Sequence, residues 1–275
     1  MEGRAIGAAV VVALLVAALG AWSALRWDGL NVVDTAADLS PQGDNTDESS
    51  SALQSTTTVP TTTTSTTAGT ATVPDCVIGD EDVVGDPTED WATVVVDANR
   101  GLPADFEPPD LVDASAAGFD SGDLIRQVIV EDLDALRVAA DENGTPLGLV
   151  SAYRSYSYQE DLYTREVAQE GEAEAQKETA RPGHSEHQLG TAIDVLDAGS
   201  QSLVPDFTET PTGQWIADNA HLYGFVISYP DLPRTRTCYG FEPWHLRYVG
   251  RDIAPQIRDS GLAPREWMLG RAETP

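Results

Sequence analysis

Lysine is almost missing from this chain: Lys177 is the only one in 275 residues, and the remaining fixed positive charge is arginine. Sixteen basic residues face 45 acidic ones, a formal net charge of -29. That balance argues against a nucleic-acid partner, because the phosphate backbone would be repelled. The acidic excess itself reads as a solvated surface and is assigned no binding role. Cysteine is scarce, with only Cys76 and Cys238, and neither has a second cysteine or histidine at zinc-finger spacing. In a reducing compartment the two would stay unpaired; outside a membrane they should form one disulfide. No internal repeat is visible, which excludes a solenoid. Histidine occurs four times, at 184, 187, 221 and 245.

One long hydrophobic run does occur. Ala5 to Leu25 carries no charge and is bounded by Arg4 and Arg26. At about 20 residues it is long enough to cross a bilayer as a helix, and too long for the usual apolar region of a cleaved signal peptide. The expectation is a membrane anchor over residues 1–26, with a signal peptide as the alternative. Residues 27–75 are rich in Ser, Thr, Asp and Gly, and include the low-complexity run Thr56 to Thr64. Such a stretch buries too little surface to fold and reads as a disordered extracellular linker. It reaches about 40 Å as a flexible coil and at most roughly 160 Å extended. A folded domain then occupies 76–275. Together these place a monomeric catalytic domain outside the cell membrane on a single-pass anchor, or secreted if the N-terminal segment is cleaved.

Within the folded part, Trp91–Asp97 reads as a strand, Ile129–Asn143 as a helix and Leu147–Ala152 as a second strand. Ser157 and Glu160 have capping-box spacing, so a helix is expected from there to about Gln169. This puts Arg154 at a strand-to-helix corner and Gln159 in the first helical turn. Gln169–Thr179 reads as a polar surface helix. Thr210-Pro211 is an N-cap with Pro at N1, opening a helix that Gly224 ends; Phe225–Tyr229 follows as a strand. Arg251–Ser260 and Pro264–Leu269 close the chain as helices. The loops are too varied for a parallel repeat, so the fold class is α+β: an antiparallel sheet with helices packed on one side.

The chemistry lies in two segments. Asp194 sits inside the apolar run Ala192 to Leu196, where an ionised carboxylate needs a partner or a metal. His187 precedes it across the flexible Gly190. Far downstream, Glu242-Pro243-Trp244-His245-Leu246-Arg247-Tyr248 reads as a strand with His245 and Arg247 on one face. Two imidazoles and one carboxylate make a three-ligand zinc site with a position open to water, the arrangement of a metal hydrolase. A bend at Pro243 would bring Glu242 beside the metal as general base rather than ligand. Arg154 would stabilise charge on a carbonyl oxygen, or else merely pair a nearby acid. His184 reads as peripheral, facing away from His187 in an extended segment, and His221 as structural.

Three motifs, Ser151-Ala152-Tyr153-Arg154-Ser155 with Gln159, Ser185-x-His187-x-x-Gly190-x-Ala192-x-Asp194, and Glu242-Pro243-Trp244-His245-x-Arg247-Tyr248, resemble those of the VanY-type D-alanyl-D-alanine carboxypeptidases. The likeness runs from about Val94 to Leu269. It implies a DD-peptidase or hedgehog-like zinc peptidase fold and one zinc ion held by His187, Asp194 and His245. Glu242 and Arg154 are then catalytic, Gln159 and Ser185 contact substrate, and the substrate is a peptidoglycan stem peptide losing its terminal D-alanine. An L,D-carboxypeptidase or endopeptidase with the same chemistry is the alternative, and a silent wall-binding module a further one. The chain departs from the family at Ala152, where glycine is frequent, and at Ser228, where arginine is frequent before the Tyr-Pro pair.

Overall fold

The structure, a computed structural model, describes residues 75–120, 122–200, 203 and 205–272. Four strands form its main sheet: β1 (Leu147–Ser151), β2 (Ala192–Asp197), β3 (Phe225–Ile227) and β4 (His245–Tyr248). They are antiparallel throughout, in the order β1-β2-β4-β3. Alternation along β2 and β4 sends Ile193, Val195, Leu246 and Tyr248 to one face, where they join the largest apolar cluster. Helix α1 (Val130–Glu142) supplies Leu133, Leu136 and Ala140 to that cluster. Full burial of each leucine or isoleucine there contributes roughly 1.5–3 kcal/mol.

The opposite face of β2 and β4 carries Asp194, His245 and Arg247, all buried. What covers it is not another layer of regular structure. The expected strand at Trp91–Asp97 is a turn followed by unpaired chain. Its carbonyl groups at Trp91 and Val94 accept hydrogen bonds from Arg247 Nη2, at 3.0 and 2.6 Å. A side chain takes the acceptors that a neighbouring strand would have used, while Val94 and Val96 fill a small apolar cluster with Leu102 and Leu189.

Helix α2 (Tyr156–Glu170) begins two residues earlier than the capping-box spacing indicates. Ser155, in extended conformation, accepts from the Tyr158 N–H at 3.2 Å and is the N-cap in place of Ser157. Gly171, at φ 83°, breaks the expected Gln169–Thr179 helix, and α3 (Glu172–Glu178) follows as a separate element. Helix α4 (Pro211–Asn219) is capped by the Thr210 hydroxyl with Pro at its start, and its Ile216 joins the α1 side of the sheet. Helices α5 (Ala254–Ser260) and α6 (Pro264–Ala272) stand where the closing helices are expected, α5 starting three residues later and α6 running three residues longer. They contribute Ala254, Ile257 and Met268 to a cluster with Val226, the β3 residue paired with Arg247. Helices therefore flank both sides of the edge strand rather than one, because β3 alternates apolar residues on both faces.

Cys76 and Cys238 are joined by a disulfide spanning 162 residues of sequence. The apolar run Ala5–Leu25 and the linker after it lie outside the described residues. No described helix is long and apolar enough to cross a membrane.

Candidate metal centre

Each ligand is delivered by a different local device. His187 sits in a single 3-10 turn, Glu186–Leu189, capped by Ser185 at one end. Gly190 closes the turn at φ 70°, and a Cβ there would meet Arg126 Cγ at 2.9 Å. Only glycine fits both the backbone angle and the space, so the chain can reverse from His187 into β2. Asp194 is then set by strand alternation, directly opposite His245 in the β2–β4 ladder. Glu242 is carried by a turn through Pro243, closed by the His245 N–H donating to the Glu242 carbonyl at 3.2 Å.

The donor atoms of His187, Asp194 and His245 all lie within 4.8 Å of one another. His187 Nδ1 is 2.6 Å from the Ala152 carbonyl oxygen, so that nitrogen carries the proton and Nε2 faces the centre. Nε2 is buried and 3.3 Å from Asp194 Oδ2, without the alignment of a hydrogen bond. His245 is turned the other way: its Nε2 lies 3.1 Å from Glu186 Oε2, and its Nδ1 lies 3.1 Å from Asp194 Oδ1. A tetrahedral ion with bonds of about 2.1 Å holds its ligand atoms roughly 3.4 Å apart, so the two contacts to Asp194, at 3.3 and 3.1 Å, already have the spacing zinc needs. A buried imidazole nitrogen without a hydrogen bond, beside a buried carboxylate, is also the donor chemistry zinc prefers.

The electrostatics are consistent with that fit. Burial, reinforced by the Arg154 charge, pushes His187 down to about 4, so it is neutral and ready to ligate. Burial would raise Asp194, but His187 and His245 outweigh it and hold the carboxylate well below its ordinary range. Burial would lower His245, yet hydrogen bonds to Asp194 and Glu186 push it up to about 10 in the metal-free protein. Glu242, with Oε2 3.8 Å from His245 Nδ1, is pushed up to about 7 by burial, with the Asp194 charge adding to the rise and His245 and Arg154 opposing it.

A cleft of about 290 Å³ opens onto these groups, lined also by Arg154, Gln159, Ser185, Tyr229 and Trp244. Arg154 lies between β1 and α2, and its main-chain N–H donates to the His187 carbonyl at 3.3 Å. Its Nε is buried without a partner, and among the described residues no carboxylate lies within ion-pair distance of it. The simple reading of Arg154 as a surface ion-pair partner therefore has no support. Gln159 is buried, donates Nε2–H to the Ala180 carbonyl at 2.8 Å, and leaves Oε1 unpaired at the cleft. The Ser185 hydroxyl lines the cleft while capping the His187 turn. His184 is buried against the Asp97 carbonyl and His221 pairs with Arg258; neither reaches the centre.

Sequence reasoning passed over Glu186. It is 6% exposed, hydrogen-bonded to His245 and ion-paired to Arg247 at 2.7 Å. Burial would raise its carboxyl, but Arg247 and His245 prevail and hold it at about 2. The available signal was Arg247 on the face of His245, a buried cation that required a carboxylate.

A family model described as VanY, D-alanyl-D-alanine carboxypeptidase, matches residues 122–251. The chain is 39% identical over 178 residues to the putative carboxypeptidase YodJ of Bacillus subtilis; the match covers 63% of this chain and 65% of that protein. Among solved structures it is similar to the LdcB LD-carboxypeptidase, with 34% identity, a TM-score of 0.60, and coverage of 68% of this chain and 93% of that one. It is also similar to a mutant of VanY, a vancomycin-resistance D,D-pentapeptidase, solved with Zn(II): 29% identity, TM-score 0.56, coverage 65% and 99%.

Proposed function

The chain belongs to the VanY family of D-alanyl-D-alanine carboxypeptidases, and from that premise we propose that it is a zinc carboxypeptidase removing the terminal D-alanine of peptidoglycan stem peptides. The observation that carries this reading is a single open cleft holding three things: a two-imidazole, one-carboxylate ligand set, a carboxyl with its pKa near 7, and an arginine without an acid partner. A purely structural zinc site would need neither of the last two and would be closed by a fourth protein ligand.

His187, Asp194 and His245 would hold the ion. When bound, zinc supplies a Lewis acid and brings the pKa of water to about 7. Glu242 takes the proton of the attacking water and passes it to the departing amine, a transfer that a carboxyl near neutrality performs in both directions. Arg154 stabilises the charge that develops on the carbonyl oxygen. Gln159, whose buried Oε1 has no hydrogen-bond partner, and Ser185 both line the cleft and would contact the substrate there.

The organisation proposed around this domain is an anchor at 1–26, a linker at 27–75 and catalysis at the cell envelope outside the membrane. The Cys76–Cys238 disulfide supports an oxidising surrounding. The test is D-alanine release by zinc-loaded protein from synthetic penta- and tetrapeptide stems. Release from the pentapeptide should stop with chelator, and Glu242→Gln should lower kcat by about 10²–10⁴ with zinc retained. Release from the tetrapeptide alone would reassign the specificity to L,D-cleavage. Activity that survives Glu242→Gln would remove the base assignment.

A further inference from the structure

The two imidazoles of the centre are oriented by unlike means. His187 is fixed by a main-chain carbonyl, Ala152, which no substitution removes. His245 is fixed through a side chain, Glu186, whose other oxygen is held by Arg247. Arg247 is 1% exposed and spends its second terminal nitrogen on the Trp91 and Val94 carbonyls. The chain of contacts thus runs from the irregular segment at 91–94, through Arg247 and Glu186, to the ring of His245. It starts outside the 122–251 stretch that carries the family match.

We infer that Glu186 is the positioning residue of the metal centre: by accepting from His245 Nε2–H it selects Nδ1 as the metal-facing atom and locks the ring against rotation. The inference rests on the zinc reading above. An imidazole without this partner can turn about its Cβ–Cγ bond, so the three donors no longer converge. Loss of such an outer partner weakens metal binding by about 10–100-fold. Arg247 acts one step further back, aiming the Glu186 carboxylate. The ion pair is also buried, so removing Glu186 alone leaves Arg247 uncompensated, and stability must be separated from positioning.

The experiment measures zinc affinity of the full chain by competition with a chromophoric chelator, alongside thermal melting of the metal-free protein. Two variants are compared with wild type: Glu186→Met, and the double substitution Glu186→Leu with Arg247→Leu. Apolar replacement of a whole buried pair is often neutral for folding, but the Trp91 and Val94 carbonyls also lose their donor, so the double variant should fold and melt somewhat below wild type. Its zinc affinity should nonetheless fall about 10–100-fold, and the cobalt-substituted protein should show altered d–d bands. A folded double variant with wild-type affinity overturns the inference and leaves Glu186 as a fold-holding ion pair. Should the double variant fail to fold, Glu186→Met, which has the length of the side chain without its carboxylate acceptor, decides: unchanged affinity and an unchanged cobalt spectrum overturn the inference, and a fall in affinity with altered bands supports it. A wild-type chain that binds no zinc overturns the metal reading itself, whereas wild-type binding with unaltered variants overturns this inference alone.

Discussion

Changing Cys76 and Cys238 together to serine should destabilise the folded unit by about 3–4 kcal/mol. The bond spans 162 residues, and in the chain-entropy treatment closing so long a loop removes denatured-state freedom corresponding to about 5 kcal/mol at 25 °C. One term opposes this. Cys238 is the only non-glycine residue with positive φ among the described residues, at 76°. Holding a side-chain-bearing residue there costs on the order of 1–3 kcal/mol, part of which relaxes once the bond is gone. For a unit of about 200 residues, each kcal/mol lowers Tm by roughly 2–4 °C, so the midpoint should fall about 10 °C. Urea unfolding followed by tryptophan fluorescence, on oxidised wild type and the double variant, gives the difference directly. Because Cys238 lies just ahead of Tyr239 and Glu242 in the cleft wall, kcat should fall with it. A loss below about 1 kcal/mol with an unchanged urea slope would refute the argument. It would mean that contacts such as the Cys76 N–H to the Thr235 carbonyl, or Arg181 to the Ala98 carbonyl, already close the loop.

Two further outcomes follow from the site. Arg154→Ala should reduce kcat by about 10²–10³. It should shift stability by less than about 1 kcal/mol, because the side chain has no ion pair to lose. Substrate hydrolysis and thermal melting check the two halves. Zinc affinity should rise about tenfold per pH unit between pH 6.5 and 8.5: metal-free His245 holds its proton up to about 10 and must release it before Nδ1 can ligate. Competition titrations at several pH values measure the slope, and a flat profile would mean that the proton is already gone.

The parts legible in the sequence were those whose signal is local or alternating. Asp194 inside an apolar run announced a buried carboxylate in need of partners, and the alternation after Pro243 placed His245 and Arg247 on one face. The Thr210-Pro211 cap and the Gly224 stop are chemically unambiguous and stand where expected. Long-range partners were the part that could not be read. Val94-Val95-Val96 has the composition of a strand, and what prevents pairing is the Arg247 guanidinium arriving from a distant part of the chain. Glu186 is one acid among 45, and nothing in its immediate neighbours separates it from a surface residue. The α2 start was misplaced by two residues because Ser155 and Ser157 are both good caps, and only the extended backbone at Ser155 distinguishes them.

The two central strands are shared property: Ile193, Val195 and Leu246 anchor the core on one side while Asp194 and His245 aim at the cleft from the other. A repacking mutation at any of these apolar positions tilts the very peptide planes that point the ligands, and a one-residue insertion would exchange the two faces outright. Thermal tolerance and metal affinity are therefore coupled along these strands, and selection for heat resistance alone should leave them untouched. Adaptive change should gather instead at exposed apolar positions remote from the cleft, such as Val138, Leu222 and Leu262.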